Sequence, residues 1–418
     1  VRKAWYRRLD WTILLTWALL VGAGLVAIYS ATHGRFSDFV RPGVVSNFER
    51  QLMWAGVCVV GLTMVFVLPV RFLRHLAYPV YVITLGLVIG ALLFGREVNG
   101  AQSWLYFGPV GVQSSELAKV GTVLAVAQFL SGRARQAPSI RRALGAVLFI
   151  VVPGLLVVLQ NDAGTALVYF ALVPIVLFWS GLPLVVVLLL VGPAVAGYLA
   201  VVSVPAAATF AALFTIGLYF YSREPKIGIV SALFTAGPIG VVYTALNSIL
   251  QPHQVARIAS FVDPEAYQST SGFHIIQAKA AIGSGGFWGK GFMEGTQTQL
   301  AFVPEQTTDF IFSVIGEEFG FVGVLVVLGL FGYLLTRLVI IGTRSGHPFV
   351  HMVAAGTVGI YLVHIVINVG MTLGVMPVIG IPLPFISYGG SAMVANTGLL
   401  AFTLATYMKR NDLPIYGY

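Results

Sequence analysis

Residues 257–265 read RIASFVDPE, residues 283–292 read GSGGFWGKGF and residues 302–310 read FVPEQTTDF. They make 257–309 the longest stretch of this chain that a bilayer would reject. On both sides of it, apolar runs of about 17–25 residues follow one another, the length that spans a membrane. Of 418 residues, 58% are hydrophobic and only 9% are charged; a soluble domain carries about 25% charged residues. The sequence therefore predicts an all-α fold, a polytopic integral membrane helical bundle. About 12 transmembrane helices are expected, near 11–31, 50–68, 76–94, 115–131, 143–159, 163–181, 184–203, 206–221, 227–249, 309–336, 349–373 and 387–408. The whole chain, 1–418, reads as a single integral membrane domain, with 250–308 its large loop. Pro153, Pro174, Pro193 and Pro238 fall inside runs and predict kinks, which membrane helices tolerate when neighbours satisfy the freed carbonyls.

The net charge of +9 does not point to nucleic acid, because the basic residues fall between apolar runs. With the N-terminus cytoplasmic, the larger share of the 24 Lys and Arg residues lies on the cytoplasmic side, as the positive-inside rule requires. An even number of spans returns the C-terminus to that side and puts 250–308 outside the cell. The basic N-terminal residues before Trp11 resemble a signal peptide, but the run after them is long, and it is read as the first, uncleaved span. Cys58 is the only cysteine, so no disulfide or thiolate metal site can be built within the chain. The 7 histidines show no zinc-ligand spacing.

Three further polar stretches map to the same outward side: Asn99–Lys119 (NGAQSWLYFGPVGVQSSELAK), Leu159–Ala166 (LQNDAGTA) and Pro377–Ser391 (PVIGIPLPFISYGGS). Their convergence points to a site. Asp263 sits before a proline, a common turn arrangement; a base acting on a hydroxyl needs hydrogen-bond reach above all. Glu116 and Lys119 share a helix face, either as an ion pair or as the charged wall of a cavity. Asp162 either caps the next helix or lines that cavity. The glycine-rich stretch fails the Walker pattern, with Ser284 at the first glycine position and Gly291 after Lys290. Glycine-rich turns can still bind anions through backbone amides, with Lys279 and Lys290 adding charge. Asp309, Glu317 and Glu318 open the next span, where carboxylates could hold a hard cation.

Taken in order, QSSELAK, LQNDAGTA, RIASFVDPE, GSGGFWGKGF, FVPEQTTDFIFSVIGEEFGF and PLPFISYGGS resemble the SEDS family (shape, elongation, division and sporulation), over nearly the whole chain and in a form similar to its elongation branch. The resemblance implies a peptidoglycan glycosyltransferase that polymerises lipid II for cell elongation in the bacterial inner membrane, with undecaprenyl diphosphate leaving. It puts the family's essential aspartate on Asp263 and its glutamate–lysine pair on Glu116 and Lys119. It implies a class B penicillin-binding protein as transpeptidase partner within the elongation machinery. The substrate cavity is expected to include Glu116, Lys119, Asp162, Arg257, Lys279, Lys290, Glu305, Asp309, Glu317 and Ser387. No cofactor is required by the reading; a divalent cation, Mg²⁺ or Mn²⁺, is compatible with a diphosphate leaving group. The family's QPDxGTA pattern departs here at Asn161, and the family usually has about ten spans, so 184–249 reads as a two-helix insertion. The alternative reading is a flippase or transporter of lipid-linked sugars, which also uses broken helices and buried charges.

Overall fold

The computed structural model describes residues 9–33, 42–98, 100–108, 110–131, 139–244, 261–266, 271–300, 302–303 and 305–412. Its helices are α1 (Trp11–His33), α2 (Pro42–Val45), α3 (Asn47–Val67), α4 (Val70–His75), α5 (Ala77–Phe94), α6 (Ser114–Ser131), α7 (Ile140–Leu159), α8 (Ala163–Trp179), α9 (Leu184–Val202), α10 (Val204–Ser222), α11 (Pro225–Thr244), α12 (Ser271–Gly285), α13 (Thr296–Gln299), α14 (Ile311–Arg344), α15 (Pro348–Thr372) and α16 (Gly390–Met408). Among the described residues, nine helical spans are long and apolar enough to cross a membrane. The remaining three expected spans are also helical. α8 is slightly short, at 17 residues, while α6 and α16 carry polar residues that neighbouring helices bury. Pro153, Pro174, Pro193 and Pro238 all lie inside helices.

Two parts of the polar interruptions have regular structure that periodicity did not reveal. Between α5 and α6, strands β1 (Arg96–Val98), β2 (Ala101–Phe107) and β3 (Val110–Gln113) form an antiparallel sheet in that order. Trp104 pairs with both Arg96 and Gln113, and Gly108 at φ 64° makes the β2–β3 turn. Within the 250–308 stretch, α12 and α13 are helical.

The chain forms two compact units, one made of Val1–Val176 with Gln277–Tyr418 and the other of Leu177–Ile276. In the first, α6, α15 and α16 pack on one another at the centre. Small residues permit this: a Cβ on Gly121 would lie 2.3 Å from Thr84 Oγ1, and one on Gly356 would lie 2.6 Å from Val123. The Thr357 and Thr403 hydroxyls meet at 3.0 Å between α15 and α16. α5 covers α6, α3 covers α16, and α1 and α14 pack together beside α15. At one end of this bundle, Arg337 bonds Asp10, Lys409 donates to the Phe66 and Leu68 carbonyls and Arg74 donates to Gln128. The second unit packs α9, α10 and α11 together, with Ser231 donating to Thr215 at 3.0 Å.

Candidate functional site

The other end of the first unit collects most of the expected site residues. α6 begins there, directly after β3, so its first turn carries Ser114, Ser115 and Glu116 into the bundle, all at most 1% exposed. Lys119, one turn on, is 2% exposed. Its Nζ donates to Glu116 Oε1 at 2.7 Å and meets Nε2 of His364, on α15, at 2.8 Å. His364 Nδ1 lies 3.0 Å from the Pro382 carbonyl. A charge here is tolerable only because it is paired, and removing one partner of such a pair costs about 3–5 kcal/mol.

Asp162 caps a helix and also bonds the start of α6. Oδ1 accepts from the Thr165 amide at 3.0 Å, capping α8, while Oδ2 accepts from Gln113 at 3.1 Å and Ser115 at 3.0 Å. The residue before it, Asn161, has φ 59°. A proline ring forbids that value and asparagine tolerates it, so a proline at 161 could not adopt this turn.

The stretches 305–310 and 379–391 are stitched into one piece. Ser387 Oγ donates to the Thr308 carbonyl at 2.5 Å and accepts from the Leu383 amide at 2.8 Å. Asn368 Nδ2 donates to the carbonyls of Asp309, at 2.9 Å, and Ile381, at 2.7 Å. Gln51, on α3, donates to the Ser387 carbonyl at 3.1 Å, and the Gln113 amide donates to Ser391 at 2.9 Å. Asp309 points toward Gly380. Burial, then the neighbouring Glu305, pushes its carboxyl up to about 7. Glu305 itself is exposed, with φ 50°, and accepts from Thr308 at 3.2 Å. Three groups of hydrogen bonds thus lie on adjacent backbone: Asp162 with Gln113 and Ser115, Glu116 with Lys119 and His364 up to the Pro382 carbonyl, and the set that joins Asn368, the Asp309 and Ile381 carbonyls, Leu383, Ser387 and Thr308.

Glu317 and Glu318 sit deeper on α14. Glu317, fully buried, accepts from Lys290 Nζ at 2.7 Å and from the Gln297 and Thr298 amides at 2.9 Å each. Glu318 accepts from Ser30 at 2.5 Å and Gln299 at 3.1 Å. The glycine-rich stretch lies against the break that Gly320 makes in α14, at φ 65° and ψ −160°. Lys290 and Gly291 donate their amides to the Glu317 and Glu318 carbonyls, and Phe321 and Val322 donate theirs to Gly286 and Phe287. Those backbone groups are therefore committed to the helix. Lys279 is exposed on α12. Arg257 lies outside the described residues.

Asp263 belongs to the second unit. Phe261 before it is buried and lies 6.3 Å from the Tyr198 ring. The Asp263 carboxylate is exposed and accepts through Oδ1 from the Ala266 amide at 3.2 Å. Among the described residues it has no ion pair and Oδ2 takes no hydrogen bond.

Reading residues one by one missed His364 and Asn368. The usable signal was an ionisable or amide side chain within an apolar run, a functional pointer in membrane helices. No three His, Cys, Asp or Glu side chains cluster to hold a metal among the described residues.

Fold and geometry together define a polytopic membrane protein whose buried charges gather at one end of the bundle. The family of FtsW, RodA and SpoVE, described as "Cell cycle protein", matches residues 10–216 and 205–411. Peptidoglycan glycosyltransferase RodA of Treponema pallidum is 33% identical, over 94% of this chain and 96% of its own. Peptidoglycan glycosyltransferase MrdB of Escherichia coli K12 is 35% identical, over 96% and 94%. A solved peptidoglycan synthase complex, described as coordinating polymerization and crosslinking, contains a chain with TM-score 0.70 and 30% identity, covering 96% of this chain and 98% of that one. The crystal structure of Thermus thermophilus RodA gives TM-score 0.61 at 28% identity, covering 96% and 97%. This chain belongs to the SEDS family of FtsW, RodA and SpoVE.

Proposed function

We propose that this peptidoglycan glycosyltransferase extends glycan strands by polymerising lipid II at the outer leaflet of the bacterial inner membrane, for cell elongation. The near-full-length likeness to chains named peptidoglycan glycosyltransferase carries the reading. Asp263 takes the proton from the 4-hydroxyl of the acceptor GlcNAc. The oxygen attacks the donor's anomeric carbon. The bond from that carbon to the diphosphate breaks, its electron pair leaves with undecaprenyl diphosphate, and the α-linked donor becomes a β-1,4 product. The exposed Asp263 carboxylate, with no partner on Oδ2 among the described residues, supports this role. Positive charge stabilises the departing diphosphate, and Lys119 is the buried cation we assign to that task. Glu116 and Asp162 hold its surroundings. Arg257, Lys279, Lys290, Glu305, Asp309, Glu317 and Ser387 belong to the cavity edge in this reading.

No step is routed through a metal. Mg²⁺ or Mn²⁺ would come with the diphosphate, whose oxygens supply ligands that one or two carboxylates complete. Both termini face the cytoplasm. The gathering of Arg74 and Lys409 at the end opposite the buried network supports this orientation. A class B penicillin-binding protein is the partner that crosslinks the product; the synthase-complex neighbour supports it.

The test incubates purified protein and partner with lipid II and Mg²⁺ or Mn²⁺, then resolves glycan chains on a gel. Asp263→Asn should lower polymerisation about 10²–10⁴-fold without loss of folded protein. Near-normal chains from that variant would remove the base assignment. Movement of lipid II across vesicles without any polymer would favour a transporter.

A further inference from the structure

We propose that His364 is a positioning residue for glycosyl transfer: its neutral imidazole fixes the Lys119 ammonium and ties it to the Ile381–Ser387 turn. The inference rests on the reading of Lys119 given above.

His364 is 1% exposed, within the apolar run YLVHIVIN of α15. Its two nitrogens meet groups of opposite kind. The Pro382 carbonyl, 3.0 Å from Nδ1, can only accept, and an ammonium, 2.8 Å from Nε2, can only donate. One tautomer satisfies both, the neutral ring with its proton on Nδ1. An imidazolium would aim an N–H at the ammonium and set two cations against each other.

Glu116 cannot fix Lys119 alone. It lies on the same helix and binds end-on through Oε1, while Oε2 is buried with no hydrogen-bond partner among the described residues. A lysine stem is long and flexible, so one intrahelical contact leaves the ammonium free to swing. His364 supplies the contact from another helix. Among the described residues two of its three N–H groups are occupied, and the third is the one we assign to a phosphate oxygen. The other face of the ring grips the turn that also carries Leu383 and Ser387, which bond one another and Thr308. Placement of that turn and of the lysine charge are therefore coupled through one ring.

The test uses the full chain with its transpeptidase partner and lipid II. His364→Leu keeps bulk and loses both bonds; it should lower kcat about 10–10²-fold, the size of effect that misplacing a reacting group brings, with KM for lipid II within about twofold. His364→Gln can donate to Pro382 and accept from Lys119, and should restore kcat to within about threefold. A folded His364→Leu with wild-type kcat, or Leu and Gln variants impaired alike, would overturn the proposal. ¹⁵N-histidine spectra of the wild type give a readout independent of any variant's folding: a protonated Nδ1 and bare Nε2 support it, and a proton on Nε2 sinks it. The neutral double variant Glu116→Gln/Lys119→Met separates the two readings. If it polymerises normally, the role of Lys119 fails; if it is inactive while His364→Leu is normal, only the role of His364 fails.

Discussion

Asp309 and Glu317 lie eight residues apart at the entrance to one helix, yet their surroundings differ. Glu317 has an ammonium and two amides. The Asp309 carboxylate has no hydrogen-bond partner among the described residues, and burial beside Glu305 raises it from 3.8 to about 7. An acid raised on folding binds its proton more tightly in the folded state, so its contribution to stability is lost as pH rises through about 7. Asp309→Asn should therefore raise the melting temperature relative to wild type more at pH 8 than at pH 5. An equal difference at both pH values would contradict this. At this scale the sequence disclosed charges but not partners. Asp162 could be read as a cap or a cavity residue because both are local possibilities; its bond to the Thr165 amide makes it a cap, and its bonds to Gln113 and Ser115 tie that cap to the start of α6.

At the scale of elements, the glycine-rich stretch is a clamp on a broken helix. Gly320 interrupts α14, and the freed carbonyls of Glu317 and Glu318 are taken up by Lys290 and Gly291. The fit requires hydrogen in place of side chains: a Cβ on Gly289, at φ 84°, would lie 2.1 Å from the Glu318 carbonyl oxygen. Gly289→Ala should lower the melting temperature of the purified protein sharply, at a cost of about 3 kcal/mol or more, as for other overpacked and strained sites. Gly283→Ala meets nothing within 4 Å and lies in α12, where alanine is favoured by about 1 kcal/mol, so it should be neutral or stabilising. Equal losses from the two would mean that backbone approach is not the cause. The Walker comparison counted glycines correctly and could not tell that their amides serve a helix.

At the scale of the whole molecule, the unit made of Val1–Val176 and Gln277–Tyr418 has an end rich in buried charge pairs and amides and an end marked by Asp10–Arg337 and Lys409. Orientation follows from the proposed function and is open to direct labelling. Cys58 is 3% exposed, so its background should be low. In intact cells, Glu97→Cys should react with a membrane-impermeant maleimide, and Arg141→Cys only after permeabilisation. The reverse pattern would invert the topology and remove the site from the outer leaflet. The extra apolar run has become α9, α10 and α11, which pack on one another in the unit Leu177–Ile276. Nothing in the hydropathy of that run showed that these three helices would pack on one another.

The sequence by itself determined the polytopic helical class and the family. Hydropathy and motif order are properties of position along a line, and a bilayer filters helices by length and polarity. It also put Glu116 and Lys119 on one helix face, where the structure shows them paired at 2.7 Å. Only the tertiary structure decided what completes the site. His364 reaches Lys119 across 245 residues, Ser387 reaches Thr308 across 79, and the glycines close on Gly320. Each depends on which helices become neighbours and in what rotation, and a periodic apolar pattern is nearly indifferent to both.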